Sequence, residues 1–216
     1  MNKFTQIVII VGKITPNGVI PLGTGFFISN DGKIATTKHV VGYDPGNLVI
    51  LEPNIADINS YQDQTDLQCK TIPAEILEMD PIKDLCILKA NISYSGQLPQ
   101  LGSFDEVNIG EKVGIFSFPH CVVGRRVLTY QEAEIGAKIL LNSNTIKSKH
   151  AVINIQTRPG QSGGLVFSTR LNKAIGMIVG AFVPNLVGGI NLGGINPHEL
   201  NQTTHCISAE YIIDML

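Results

Sequence analysis

Gly160-Gln161-Ser162-Gly163-Gly164 is the segment of this chain best suited to chemistry. A serine hydroxyl is a weak nucleophile at its own pKa and needs a base within hydrogen-bond reach. It also needs donors aimed at the oxyanion that forms when it attacks a carbonyl. Glycines around the serine let the backbone turn sharply enough for main-chain N–H groups to converge, and those of Gly160 and Ser162 are the natural pair. Alone, the pentapeptide serves equally well as a hairpin turn.

Two further segments offer the missing groups. His39 lies in Thr36-Thr37-Lys38-His39-Val40-Val41, directly after a strand-like run and before an apolar pair that could form a short buried turn. Its imidazole could take the serine proton, although a lone histidine beside apolar residues is more often structural. Asp84 lies in Asp80-Pro81-Ile82-Lys83-Asp84-Leu85-Cys86 and heads an apolar strand. A carboxylate there is costly to bury unless hydrogen-bonded, and the far nitrogen of a catalytic imidazole is one such partner. Asp80 is the rival. Asp84 is preferred because it abuts the strand, whereas Asp80 precedes a proline in a turn.

The elements that must position these groups read as short strands. Asn30-Asp31-Gly32 is a strong hairpin turn between Val19–Ser29 and Lys33–Thr37, because Asp-Gly tolerates positive φ. Strands are also expected over Thr5–Val11, Asn47–Leu51, Ile72–Glu78, Leu85–Lys89, Lys112–Phe118, Ala151–Ile155, Gly164–Phe167 and Ala174–Phe182. Only Ser208–Leu216 looks helical, with Ser208 as cap and Ile212, Ile213 and Leu216 on one face. The fold class is therefore all-β. A polar connector, Asn91–Pro99, divides the chain into residues 1–92, carrying His39 and Asp84, and 93–216, carrying Ser162. The Gly- and Asn-rich stretch Pro184–Asn196 reads as a mobile surface loop.

Composition limits the partners. Of 216 residues, 44% are apolar and 16% charged, and the net charge is -2. That is a globular chain without the basic stripe a nucleic acid would require. The longest apolar run near the start, Ile7–Val11, is shorter than a signal peptide's apolar region, and no run approaches a membrane span. The expectation is a cytoplasmic protein with no membrane partner and with its four cysteines reduced. His120-Cys121 and His205-Cys206 could contribute two histidines and two cysteines to a zinc site, but the ligands within such pairs normally stand two to four residues apart. No metal or cofactor is expected.

Three strings, GTGFFISNDGKIATTKHVV, DLCILKA and IQTRPGQSGG, resemble the segments around the triad of chymotrypsin-like serine proteases, particularly the HtrA (Deg) branch. They occur in the order His, Asp, Ser. Weaker similarity covers LGSFDEVNIGEKVGIFSFP, NKAIGMIVGAF and HCISAEYIIDML, and so most of the chain. The resemblance implies two six-stranded antiparallel β-barrels, a short C-terminal helix, and a serine endopeptidase acting through His39, Asp84 and Ser162 on a protein or peptide substrate. It also implies a specificity pocket with its base near Gln156 and Thr157 and its wall at Val179, Gly180 and Ala181. No acidic residue lies there, so a small or medium apolar residue before the cut is expected rather than Arg or Lys.

Two departures stand out. The PDZ domain common in HtrA proteins has no counterpart in these residues, which leaves room for an activating protein partner. Gln161 stands where trypsin has an aspartate that pairs with a freshly cut N-terminus. Uncharged Gln161 cannot make that pair, so Ile7-Val8 should stay internal in active protein. Two other readings remain. One is a catalytically silent binding module on the same fold. The other is an α/β-hydrolase esterase built on Gly-x-Ser-x-Gly, which would need its acid and histidine after the serine.

Overall fold

The computed structural model describes residues 2–52, 54–66, 68–182 and 203–216, with backbone alone at 181 and 182. The expected loop Pro184–Asn196 lies outside the described residues.

After a one-turn helix, α1 (Phe4–Ile7), come strands β1 (Val8–Thr15), β2 (Gly18–Phe27) and β3 (Lys33–Thr37). A second short helix, α2 (Lys38–Val41), leads to β4 (Leu48–Glu52), β5 (Lys70–Asp80) and β6 (Leu85–Ala90). These six strands close into a barrel in the order β1-β2-β3-β6-β5-β4. The two-residue strand β7 (Gln100–Leu101) then precedes β8 (Lys112–Ser117), β9 (Thr129–Ser143), β10 (Ile146–Ile153), β11 (Leu165–Ser168), β12 (Lys173–Phe182) and β13 (Thr203–Ser208). The order β11-β8-β9-β10-β13-β12, with β12 paired back to β11, closes a second barrel of six antiparallel strands. Strand β7 adds to β12 in parallel.

Two apolar clusters explain why several strands of the second barrel read as unbroken hydrophobic runs. Val113, Ile115, Val166, Ile175, Ile178 and Cys206 face its interior. Their neighbours Phe116, Leu165, Phe167, Ala174, Met177 and Ile207 join a cluster that continues into the first barrel. Both faces of β8, β11, β12 and β13 are thus covered, and the alternation of a half-exposed strand is lost.

Four expectations need correction. Residues 4–7 are helical rather than extended, because the backbone N–H and the hydroxyl of Thr5 both donate to Asn2 O. Phe4 then stacks on Phe116 at 3.9 Å between ring centres. The longest strand, β9, was not expected, since its sequence TYQEAEIGAKILLNS buries only Ala133 and Ile135. Its hairpin to β10 turns through Asn144 and Thr145, both at positive φ. At the C-terminus, Ser208 belongs to β13, and the helix α3 (Glu210–Ile213) has no side-chain cap. The buried face there is Ile212 and Met215, spaced i to i+3, while Ile213 and Leu216 are exposed.

Candidate active site

His39 sits in the first turn of α2, just beyond the end of β3. Asp84 ends the turn between β5 and β6, at φ 57°, a left-handed conformation that aspartate tolerates better than most residues. Because β3 and β6 pair from Thr37↔Leu85 to Lys33↔Lys89, their adjoining ends bring the two residues together. Asp84 Oδ2 lies 2.6 Å from His39 Nδ1, and Oδ1 accepts the His39 backbone N–H at 2.9 Å. The Lys38 N–H donates to Asp84 O at 3.0 Å. This grip fixes the ring orientation and leaves Nε2 as the imidazole nitrogen free for chemistry. The rival Asp80 does something else: its carboxylate accepts Ile82 N–H and Lys83 N–H and pairs with Lys83 Nζ, closing the turn that presents Asp84.

Ser162 lies on the second barrel in the link between β10 and β11. Gly160 and Gly163 have φ of +95° and +84°, conformations that L-residues rarely adopt. A Cβ on Gly163 would lie 1.9 Å from Thr24 O, so only glycine fits. The loop docks on β2: Thr24 N–H donates to Ser162 O at 2.9 Å and Thr24 Oγ1 to Gly160 O at 2.7 Å. Gly23 supplies the seam, since a Cβ there would meet Val40 Cγ2 at 2.5 Å and Ser162 O at 3.2 Å. The turn carrying His39 and the loop carrying Ser162 therefore pack against the same glycine.

The Pro159 carbonyl accepts His120 N–H at 2.6 Å. A trans peptide directs its N–H opposite to its C=O, so Gly160 N–H points away from His120. Among the described residues, no hydrogen bond joins Ser162 to His39. The hydroxyl donates instead to Val179 O at 3.2 Å, at the bulge where the β12–β13 register slips between Ile178 and Gly180.

The expected pocket residues flank this loop. Gln156 and Thr157 are half-buried, and Gln156 Oε1 accepts Arg158 Nη1 at 2.9 Å. Val179 and Gly180 are partly exposed on β12, and a Cβ on Gly180 would enter open space. Ala181 continues β12, its backbone opposite Thr204. No thiol competes as nucleophile at this corner: burial, with the Asp84 charge second, pushes Cys86 up to about 12, and burial pushes Cys121 up to about 12. His205 and Cys206 are consecutive on β13, so their side chains point to opposite faces and cannot converge on one ion.

Sequence reasoning missed Thr24, Ser117 and Gln131. Thr24 is buried; its hydroxyl bridges Gly160 O and Phe118 N–H, joining the loop to the end of β8. The signal available was its place between two glycines in a strand, which marks close backbone approach.

Residues 23–177 match the family model described as a trypsin-like peptidase domain. The chain belongs to this family. A probable periplasmic serine endoprotease, DegP-like, from Bartonella henselae is 27% identical over 174 residues, covering 81% of this chain and 30% of that protein. The magnetosome formation protease MamE of Magnetospirillum gryphiswaldense is 24% identical, covering 79% of this chain and 20% of that protein. The chain thus spans less than a third of the length of these relatives. Among solved structures, the active form of the Rv3671c protease from M. tuberculosis superposes with a TM-score of 0.68 at 20% identity, covering 99% and 81% of the two chains. The HtrA-type protease AlgW with a decapeptide gives 0.69 at 16% identity, covering 97% of this chain and 63% of that one. The fold is that of the chymotrypsin-like, HtrA-type peptidase domains. The esterase reading falls with it: an α/β-hydrolase is built on a parallel sheet, and these barrels are antiparallel.

Proposed function

We propose that the protein is a serine endopeptidase in which Ser162 is the nucleophile, His39 the general base and Asp84 its orienter, with Gly160 and Ser162 N–H as the oxyanion donors. The observation that carries this reading is the two-point hold of Asp84 on His39, made from a barrel whose neighbour presents Ser162 across Gly23. His39 takes the serine proton as the hydroxyl attacks a peptide carbonyl, and Asp84 stabilises the imidazolium. Each oxyanion donor contributes about 3–4 kcal/mol. His39 then protonates the leaving amine, and water splits the acyl-enzyme. The lobes 1–92 and 93–216 each supply part of this machinery.

Protein or peptide is the substrate class. An apolar residue before the cut is favoured, because Gln156 is neutral and its amide oxygen is already held by the Arg158 guanidinium. Peptide-library profiling checks this, and strict cleavage after Arg or Lys would refute it. A cytoplasmic location is the proposal, drawn from the short apolar run near the start, and the free thiols of Cys69, Cys86, Cys121 and Cys206 agree with it. No helix among the described residues is long and apolar enough to cross a membrane. The DegP-like relatives are named periplasmic, and cell fractionation distinguishes the two compartments.

One observation favours a second reading. The Ser162 hydroxyl rests on Val179 O, off its base. A protein held permanently so would be a binding module, while one released by substrate or an activating partner would be an enzyme. Turnover of a quenched peptide library by wild type and Ser162→Ala separates them: cleavage by wild type alone supports the enzyme, and no cleavage with retained peptide binding supports the module.

A further inference from the structure

Eight of the sixteen lysines and arginines are paired with a carboxylate. Four that border the candidate site, Lys38, Arg125, Arg126 and Arg158, have no such partner among the described residues. Lys38 directly precedes His39, and its Nζ sits 3.5 Å from the centre of the exposed Tyr43 ring. Arg158 stands on the nucleophile loop, and its guanidinium donates to the neutral Gln156. Arg125 and Arg126 lie in the link between β8 and β9, whose His120 N–H holds Pro159 O. Arg126 donates to two backbone carbonyls, Asp66 O at 2.6 Å and Gln68 O at 3.2 Å, so no opposite charge offsets it. The fastening of the nucleophile loop is neutral as well: Gln161 Nε2 donates to Ser117 Oγ at 2.7 Å and to Gln131 Oε1 at 3.1 Å. The carboxylates of this corner, Asp84 and Asp80, are taken up by His39 and Lys83.

In the proposed chemistry His39 protonates the leaving amine, so the chain after the cut departs past His39 and Lys38. Ser162 sits between β12, through Val179 O, and β2, through Thr24 N–H. With the residue before the cut on the β12 side, the residues after it run out over β2. Among the described strands, β3 pairs with β2 only at Phe26 and Phe27, so β2 upstream of Gly23 keeps an open edge. A groove of about 610 Å³ lies along it, lined by Val19, Pro21, Leu51, Cys69, Thr71 and Arg126, and Arg126 is its one charged lining residue among those described. Strands advance about 3.3 Å per residue, so Pro21 and Val19 stand roughly 7 and 13 Å along β2 from Gly23, which packs on Ser162 O. An extended peptide advances at the same rate, which sets the groove opposite the second to fourth residues after the cut. Beyond Arg126 the sign changes: Glu52, Asp63 and Asp66 line the adjoining cavity, with Glu52 paired to Lys70.

We infer that the cleft selects peptide substrates carrying Asp or Glu at the second to fourth positions after the cut, with Lys38 and Arg126 as the specificity-determining cations. The inference rests on the serine-peptidase reading above and supplies the chemistry of its leaving side; the apolar preference before the cut is separate from it. Rim cations act by complementarity, speeding encounter with an acidic segment and rejecting a basic one. Their effect weakens as salt shortens the screening length. Acidic residues farther out meet Asp63 and Asp66 and gain nothing.

The test uses quenched peptides with one apolar residue before the cut and Asp-Glu, Asn-Gln or Lys-Lys at the second and third positions after it. Expected is a kcat/KM for the acidic peptide roughly 10-fold above the neutral one at low salt, with the basic peptide lowest. That ratio should shrink as ionic strength rises. Arg126→Gln and Lys38→Gln should each reduce it, while Arg126→Lys, which keeps the charge, should retain most of it. Lys38 gives up only its contact with the Tyr43 ring, so Lys38→Gln reports on charge even where Arg126→Gln fails to fold. Binding of the same peptides to Ser162→Ala, read by fluorescence anisotropy, tests the preference without turnover. Equal rates and affinities for the acidic and neutral peptides would overturn the inference, as would a ratio that neither salt nor Lys38→Gln moves. Wild type that cuts no peptide, or cleavage surviving in Ser162→Ala, would instead remove the serine-peptidase reading. Anisotropy still decides the preference in that case, so the two failures are told apart.

Discussion

The two halves of the candidate site are built by opposite means. On the first barrel, His39 and Asp84 meet side chain to side chain, and their side chains remain 48% and 26% exposed. On the second, the Arg158–Gly164 loop is held by backbone bonds, glycines at positive φ and one buried amide. The first half is set by residue identity at two strand ends and tolerates the surrounding water. The second is set by conformation, and most substitutions in it touch the fold. Chemistry and stability should therefore separate in one half and travel together in the other.

The largest effect that sharpens this contrast is Asp84→Asn. An asparagine oxygen can still accept the His39 backbone N–H, so thermal stability should stay near wild type. The wrong imidazole tautomer should lower kcat by roughly 10⁴-fold. A matching loss of Tm would show that the His39 corner is not separable after all. Gly160→Ala comes next. A Cβ there would lie 2.8 Å from Phe118 O and 2.9 Å from Cys121 N, at a φ of +95°. Displacing one oxyanion donor should cost roughly 10²–10³ in kcat, and calorimetry should show Tm falling with it. Full stability with full activity would contradict the close packing of this loop.

Acid offers a separate probe of the second barrel. In the second, burial lowers the pKa of His150 and of His205, and for His150 the nearby His205 adds to the shift. A histidine whose folded pKa is lowered takes up its proton more readily when unfolded. Its contribution is thus fully present above the unfolded value of 6.5 and is lost as pH falls toward the lowered folded value. Thermal melts should show Tm falling as the pH drops below 6.5, and His150→Gln should shallow that slope. An unchanged slope would exclude His150 as the source.

The smallest expected effect sits beside His39. Thr37 Oγ1 is buried with no hydrogen-bond partner, and Thr37→Val removes that orphan while keeping the shape. Stability should rise by about 1 kcal/mol with kcat unchanged. Destabilisation would mean the hydroxyl has a partner after all.

What could be read from the sequence follows the same division. The expectation that Asp84 rather than Asp80 partners His39, drawn from Asp84 abutting a strand while Asp80 precedes a proline, agrees with the His39–Asp84 contact and with Asp80 pairing to Lys83. The expected hairpin between Val19–Ser29 and Lys33–Thr37 appears as β2 pairing with β3 through Phe26↔Ala35 and Phe27↔Ile34. The loop's supports were not legible. Thr24, Ser117 and Gln131 lie on strands distant in sequence from Gln161; the glycines flanking Thr24 mark a close approach without naming what approaches, and nothing local marks Ser117 or Gln131 as the partner of a turn. Strand β9 escaped because a long hairpin open to water on most of its length shows neither a continuous apolar run nor a clean alternation. The Ser162–Val179 bond depends on a bulge in β12 that periodicity does not reveal.

The measurement that tests the central claim most directly is fluorophosphonate labelling of wild type beside Ser162→Ala and His39→Ala. An assembled site predicts stoichiometric labelling of wild type at Ser162, with none in either variant. Wild type that stays unlabelled while fully folded, or labelling that persists in Ser162→Ala, would contradict the assignment of Ser162 as an activated nucleophile.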